Sequence, residues 1–128
     1  MLYKVLVSKF FSAAHRVRLA NGEWENIHGH NYKVEVCISS KELNKDGMVI
    51  DFLLIDNYLH EIIKRMDHSY LNENPDFIDV VPTCENIAKL IFFYLSNQLD
   101  ENSFSNLPKV EYVKVYETEE YASIVQNG

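Results

Sequence analysis

Three histidines carry the chemistry most directly written into this chain. His15 closes the segment Phe11-Ser12-Ala13-Ala14-His15, and His28-Gly29-His30 begins thirteen residues later. On an extended segment side chains alternate with period two, so His28 and His30 share a face. A third imidazole from a neighbouring strand then completes a three-nitrogen site for zinc. Three protein ligands leave one position of a tetrahedron open, which separates catalytic zinc from structural zinc. Such a metal acts as a Lewis acid or orients substrate oxygens. The competing reading of a His-x-His pair is a chance surface arrangement. No cysteine lies near the trio, which argues against a thiolate-rich zinc finger.

These ligands need strands to hold them. Leu2 to Ala14 reads as extended, with Val5, Val7, Phe11 and Ala13 in the same parity as His15. Residues 16–27 form a polar loop containing the turn signal Asn21-Gly22. Asn31 to Ser40 is a strand in which Tyr32, Val34, Val36 and Ile38 alternate with Lys33, Glu35 and Cys37. His28 and His30 continue the apolar parity, so they face the core side near the edge of the sheet. Asn44 to Gly47 is a turn. From Asp51 a helix carries the stripe Phe52, Ile55, Leu59, Ile62 and Met66, leaving His60 on the solvent side. Residues 71–82 read as a loop. Thr83 caps a second helix running to about Leu99, with Glu85 in its first turn and Ile87, Ala88, Ile91, Leu95 and Leu99 buried. Val110 to Tyr116 and Tyr121 to Val125 are late strands. The order ββααββ predicts an α+β fold, a four-stranded antiparallel sheet with both helices on one face. Its open edges call for covering, bulging or pairing between subunits.

The bulk numbers fit this reading. A chain of 128 residues suits one domain spanning 1–128. Twelve Lys and Arg against 19 Asp and Glu give a net charge of −7, which argues against nucleic-acid binding. Cys37 and Cys84 form no CxxC pattern and no disulfide framework. The N-terminal segment alternates and lacks the basic start and long apolar stretch of a signal peptide. No run reaches the roughly 18 apolar residues of a membrane span. The expected location is a reducing cytoplasm, with no membrane partner.

Further segments narrow the function. They are Gly47-Met48-Val49-Ile50-Asp51-Phe52, Met66-Asp67-His68-Ser69-Tyr70-Leu71-Asn72, Pro82-Thr83-Cys84-Glu85-Asn86 and Val115-Tyr116-Glu117-Thr118. Together with the two histidine segments, the second extended through Asn31-Tyr32, they span nearly the whole chain. In that order they resemble the 6-pyruvoyltetrahydropterin synthase / 6-carboxytetrahydropterin synthase family. The resemblance implies a tunnelling-fold (T-fold) subunit. It implies homohexamers of two trimers, each trimer closing its sheets into a barrel, with active sites between subunits. It also implies Zn2+ on His15, His28 and His30, and an acid/base pair at Asp67-His68. A carboxylate beside an imidazole fixes its tautomer and stabilises the imidazolium. Glu117 becomes the anchor of the pterin ring, accepting two parallel hydrogen bonds from its amino group and ring N–H. Thr83, Cys84 and Glu85 line the same pocket. Without the family, His68 reads as a helix-end histidine, Glu117 as a strand-surface glutamate and Glu85 as a helix-start glutamate.

One departure matters most. Family members that make pyruvoyl or carboxy products carry a cysteine base a few residues before His-Gly-His. Here Asn21-Gly22-Glu23-Trp24-Glu25-Asn26-Ile27-His28 holds none. Glu25 instead gives Glu-x-x-His-Gly-His, which is similar to a subgroup in which glutamate replaces the cysteine and 6-hydroxymethyl-7,8-dihydropterin is the product. The substrate so implied is 7,8-dihydroneopterin triphosphate, and the reaction a retro-aldol cleavage needing a base and a metal. Glu23 competes for the role of base, and two solvated loop glutamates remain the plain alternative. Cys37 has the wrong parity to substitute for the missing thiol, and Cys84 is treated as pocket lining. Arg16 and Arg18 are candidates for holding the triphosphate. The rival functions are the carboxy-type synthase that feeds queuosine, the pyruvoyl-type synthase, and a catalytically silent pterin- or zinc-binding protein.

Overall fold

Alternation builds two long strands first. In a computed structural model describing residues 1–128, β1 (Tyr3–His15) and β2 (His28–Ser40) run antiparallel and pair over their whole length. The register sets His15 directly opposite His28 and Ala13 opposite His30. The intervening loop is closed at Gly22, whose φ of +88° suits a residue without Cβ.

Asp51 caps α1 (Phe52–Ile63), accepting a hydrogen bond from the Leu53 N–H at 2.8 Å. Ile55, Leu59 and Ile62 are buried as the spacing requires, but Phe52 at the first turn is 58% exposed and leaves the stripe. Met66 is buried beyond the end of the helix rather than on it. Thr83 caps α2 (Cys84–Glu101) through a bond from the Asn86 N–H, and all five expected stripe residues are buried.

The sheet has five strands rather than four. A two-residue strand, β3 (Ser69–Tyr70), adds parallel to β1 at Ala13 and Ala14, so the sheet is not wholly antiparallel. Two residues are too few to show any alternation, which is why the segment reads as part of a loop. That loop also folds into two short 3-10 turns, Leu71–Glu73 and Pro75–Phe77. With β4 (Lys109–Tyr116) and β5 (Ala122–Gln126) the sheet order is β3-β1-β2-β4-β5. α1 packs on β1, α2 packs on β4 and β5, and the helices touch each other over one face. The α+β class holds. No helix is long and apolar enough to cross a membrane.

One core runs from Phe11 and Tyr32 through both helices to Val113 and Val115. Ile91 is fully buried in it. Ile91→Ala should lower unfolding free energy by about 2–5 kcal/mol through lost transfer energy and the cavity left behind. Urea denaturation checks this; a loss below about 1 kcal/mol would mean that α2 is not docked as described.

Candidate metal centre and active site

The strand register converts the histidine spacing into a cluster. The three imidazole centroids lie 4.7–5.2 Å apart: His15 to His28 is 4.8 Å, His15 to His30 is 5.2 Å and His28 to His30 is 4.7 Å. His15 is fully buried, and its Nδ1 donates to the Pro82 carbonyl at 2.8 Å. His28 Nδ1 donates to the Asn26 carbonyl at 3.0 Å. A carbonyl can only accept, so both rings carry their proton on Nδ1 and offer the Nε2 lone pair. Backbone partners of this kind are how ligand imidazoles are held for a metal. His15 Nε2 and His30 Nε2 are buried without a hydrogen-bond partner in the protein. Burial lowers the His30 pKa, which favours the neutral form a metal requires. The donor set and these orphaned nitrogens fit a divalent metal such as zinc.

A fourth donor joins the cluster. Glu117 stands just after β4, and its Oε1 lies 3.1 Å from His15 Nε2 and 3.6 Å from His30 Nε2. One donor atom from each of His15, His28, His30 and Glu117 fits within 4.8 Å. The spacing reading gave three nitrogen donors and an open fourth position; the fold brings a carboxylate beside the three. Nothing in the local sequence signals this, because Glu117 is far from the histidines along the chain and arrives through the β2–β4 pairing.

Glu25 is also at the centre. Its Oε1 accepts from the Val17 N–H at 3.0 Å and stands 3.6 Å from His28 Nε2. Glu23 is exposed, and its bonds are backbone ones, from its N–H to Asn21 and from the Leu19 N–H to its carbonyl. Cys84 lies against the base of the site, its thiol donating to the Val115 carbonyl at 3.0 Å, and burial pushes its pKa up. Cys37 sits opposite Leu6 on the other face of the sheet. Thr83 spends its hydroxyl on capping α2, while Glu85 is exposed in the first turn. Tyr32 packs edge-on against His15 and His30 with its hydroxyl buried and unpartnered, a neighbour that no spacing argument singled out.

Asp67 and His68 do touch, with His68 Nδ1 3.0 Å from the Asp67 carboxylate. The pair is moored to the edge of β1: the Ser12 N–H donates to Asp67 at 2.9 Å, and the His68 N–H donates to the Ser12 carbonyl at 2.6 Å. The Ser12 N–H is the main reason the Asp67 pKa is lowered. His68 adopts φ of +58° and its side chain is 82% exposed. It makes no hydrogen bond or ion pair with the three-histidine cluster, though it borders a cavity of about 500 Å³ that reaches His30.

Arg16 and Arg18 both lie over the Trp24 ring, 5.2 and 5.1 Å from its centroid. Asn72 holds the Arg16 backbone on both sides, accepting from its N–H and donating to its carbonyl.

A sequence model of the family "6-pyruvoyl tetrahydropterin synthase" matches residues 4–127. A Pyrococcus furiosus dihydroneopterin monophosphate aldolase is 33% identical over 102 residues, covering 80% of this chain and 79% of that protein. A 6-carboxy-5,6,7,8-tetrahydropterin synthase from Aquifex aeolicus is 31% identical over 112 residues, covering 73% and 69%. Among solved structures, the Caenorhabditis elegans 6-pyruvoyl tetrahydropterin synthase superposes with a TM-score of 0.80 at 23% identity, over 100% of this chain and 97% of that one.

Proposed function

Since the chain belongs to the 6-pyruvoyl tetrahydropterin synthase family, whose members are lyases acting on pterins, we propose that it is a zinc-dependent aldolase-type lyase. Its substrate is 7,8-dihydroneopterin triphosphate and its pterin product 6-hydroxymethyl-7,8-dihydropterin, a folate precursor. The observation that carries this reading is Glu25, a carboxylate 3.6 Å from a ligand nitrogen in the loop where the cysteine-dependent relatives carry their base. The aldolase among the relatives supports it.

His15, His28 and His30 hold the metal, which polarises side-chain oxygens when bound. Glu25 takes the proton of the hydroxyl borne by the outer carbon of the bond to be cleaved. That carbon–carbon bond breaks, the hydroxyl-bearing carbon leaves as an aldehyde, and the electron pair stays on the ring-attached carbon. This carbon then accepts a proton to give the hydroxymethyl group. Asp67 orients His68 so that its Nε2 can supply or receive a proton. Glu117 anchors the pterin ring, with Thr83, Cys84 and Glu85 around it.

His68 works across a subunit boundary in this reading. β3 covers only Ala13 and Ala14 of β1, so the rest of that edge and the outer edge of β5 lack strand partners. Edges of this kind suit pairing between copies, in keeping with a hexamer of two trimers and sites between subunits. Residues 1–128 act as one pterin synthase-like domain, working in the cytoplasm.

Arg16 and Arg18, steered by Trp24, hold the phosphates. Arg18→Ala should weaken binding of the triphosphate about tenfold and leave dephosphorylated dihydroneopterin unaffected. Equal weakening of both ligands, measured by calorimetry, would move Arg18 out of the phosphate site.

The product decides the function. Zinc-loaded protein incubated with the triphosphate should yield 6-hydroxymethyl-7,8-dihydropterin by mass, with the monophosphate tested in parallel. A 6-carboxy product would establish the second reading, favoured by the Aquifex aeolicus relative. A 6-pyruvoyl product would establish the third. No turnover of either substrate would leave a silent pterin- or zinc-binding protein.

A further inference from the structure

Glu117 is given two tasks that its carboxylate cannot perform together. As an anchor, it engages the pterin amino group and ring N–H with both oxygens. Yet its Oε1 lies 3.1 and 3.6 Å from the Nε2 atoms of His15 and His30. Zinc–ligand bonds of ~2.0–2.2 Å at a tetrahedral angle set neighbouring donors roughly 3.3–3.6 Å apart. Oε1 therefore meets the spacing of a fourth ligand to two of the three histidines, and all four donors fall within 4.8 Å of one another. Both buried Nε2 atoms fail to hydrogen-bond to it despite the short distance, as expected when their lone pairs converge on a shared point beside it.

We infer that Glu117 is a displaceable fourth ligand, capping the metal in the resting enzyme and drawn off by the pterin ring, so that a coordination position opens only when a pterin is seated. This rests on the three-histidine metal centre proposed above. The local structure suits such an exchange. The Glu117 backbone is pinned by its N–H to the Tyr121 carbonyl at 2.9 Å, and Thr118 Oγ1 accepts from the Glu120 and Tyr121 N–H groups. The carboxylate itself is 28% exposed, and no protein N–H or O–H outside the histidine cluster holds it. A side-chain rotation alone moves it between the two partners. The exchange makes Glu117 a specificity device. A phosphorylated polyol without a pterin ring lacks the paired amino and ring N–H donors that withdraw the carboxylate, so it meets a closed metal.

The test uses cobalt(II) and 7,8-dihydropterin, whose ring lacks the side chain and so brings no side-chain oxygen to the metal. Because ring and metal compete for one carboxylate, dihydropterin should bind metal-free wild-type protein about tenfold more tightly than the cobalt-loaded form. By linkage, saturating dihydropterin should weaken cobalt binding by the same factor. Glu117→Gln should bind cobalt about 10–100-fold more weakly than wild type and lose the antagonism. Equal dihydropterin affinity with and without cobalt would overturn the exchange while leaving the three-histidine centre standing, provided that cobalt binds one per chain. Wild-type protein that binds no cobalt would overturn both. The wild-type titrations decide the matter even where Glu117→Gln does not fold.

Discussion

His28→Ala should leave the protein with essentially no bound zinc and no measurable turnover. The remaining imidazoles, even with Glu117, make an incomplete site. Loss of an outer-shell partner alone typically costs 10–100-fold in metal affinity, and loss of a ligand exceeds that. His28 is the cleanest of the three positions to change. Its side chain is 37% exposed at the start of β2, so alanine leaves little cavity. His15 is fully buried and bonded to Pro82, so His15→Ala would confound metal loss with lost packing. Metal content by mass spectrometry, read beside a thermal melt in chelator, separates the two effects. Stoichiometric zinc surviving in a His15/His28/His30 triple alanine variant would show that the metal sits elsewhere.

Glu25→Gln should reduce turnover about 10²–10⁴-fold, the usual cost of removing a general base. Glutamine keeps an oxygen to accept from the Val17 N–H, so the loop conformation should survive. Zinc content and pterin affinity should persist. Glu23→Gln is the matched control: its side chain is exposed and takes no part in the cluster, so its rate should stay within about twofold of wild type. Steady-state rates of the two variants, measured side by side, decide between them. A dead Glu23→Gln with an active Glu25→Gln would reassign the base; two active variants would sink the retro-aldol reading.

Much of this was legible in the sequence because it was periodic. The alternation through β1 and β2 placed all three histidines on the core face, and all five stripe residues of α2 are buried, joined by Cys84 and Phe92. Legibility failed where structure was short or non-local. β3 has two residues and pairs with a strand more than fifty positions away, so no pattern could announce it. Phe52 obeys the helical period yet lies in the first turn, where the helix has not yet reached the core. The approach of Glu117 to the histidines depends on strand order, which spacing does not encode. Asp67-His68 was readable as a pair, but its mooring to Ser12 is made of backbone groups that every residue possesses.

The hairpin divides labour between its parts. The three imidazoles issue from β1 and β2, where ladder pairing fixes their backbones and His15 is fully buried. Glu25 issues from the connecting loop outside either strand, its backbone N–H and its carboxylate both bonded to the Val17 backbone. A substitution at position 25 therefore exchanges the proposed proton acceptor without replacing a proposed metal ligand or a buried core residue. In the proposed mechanism, reactivity becomes a replaceable insert in a strand-built socket. Single changes in the loop can then alter the proposed chemistry while the strand pairing that sets the histidines stays as it is.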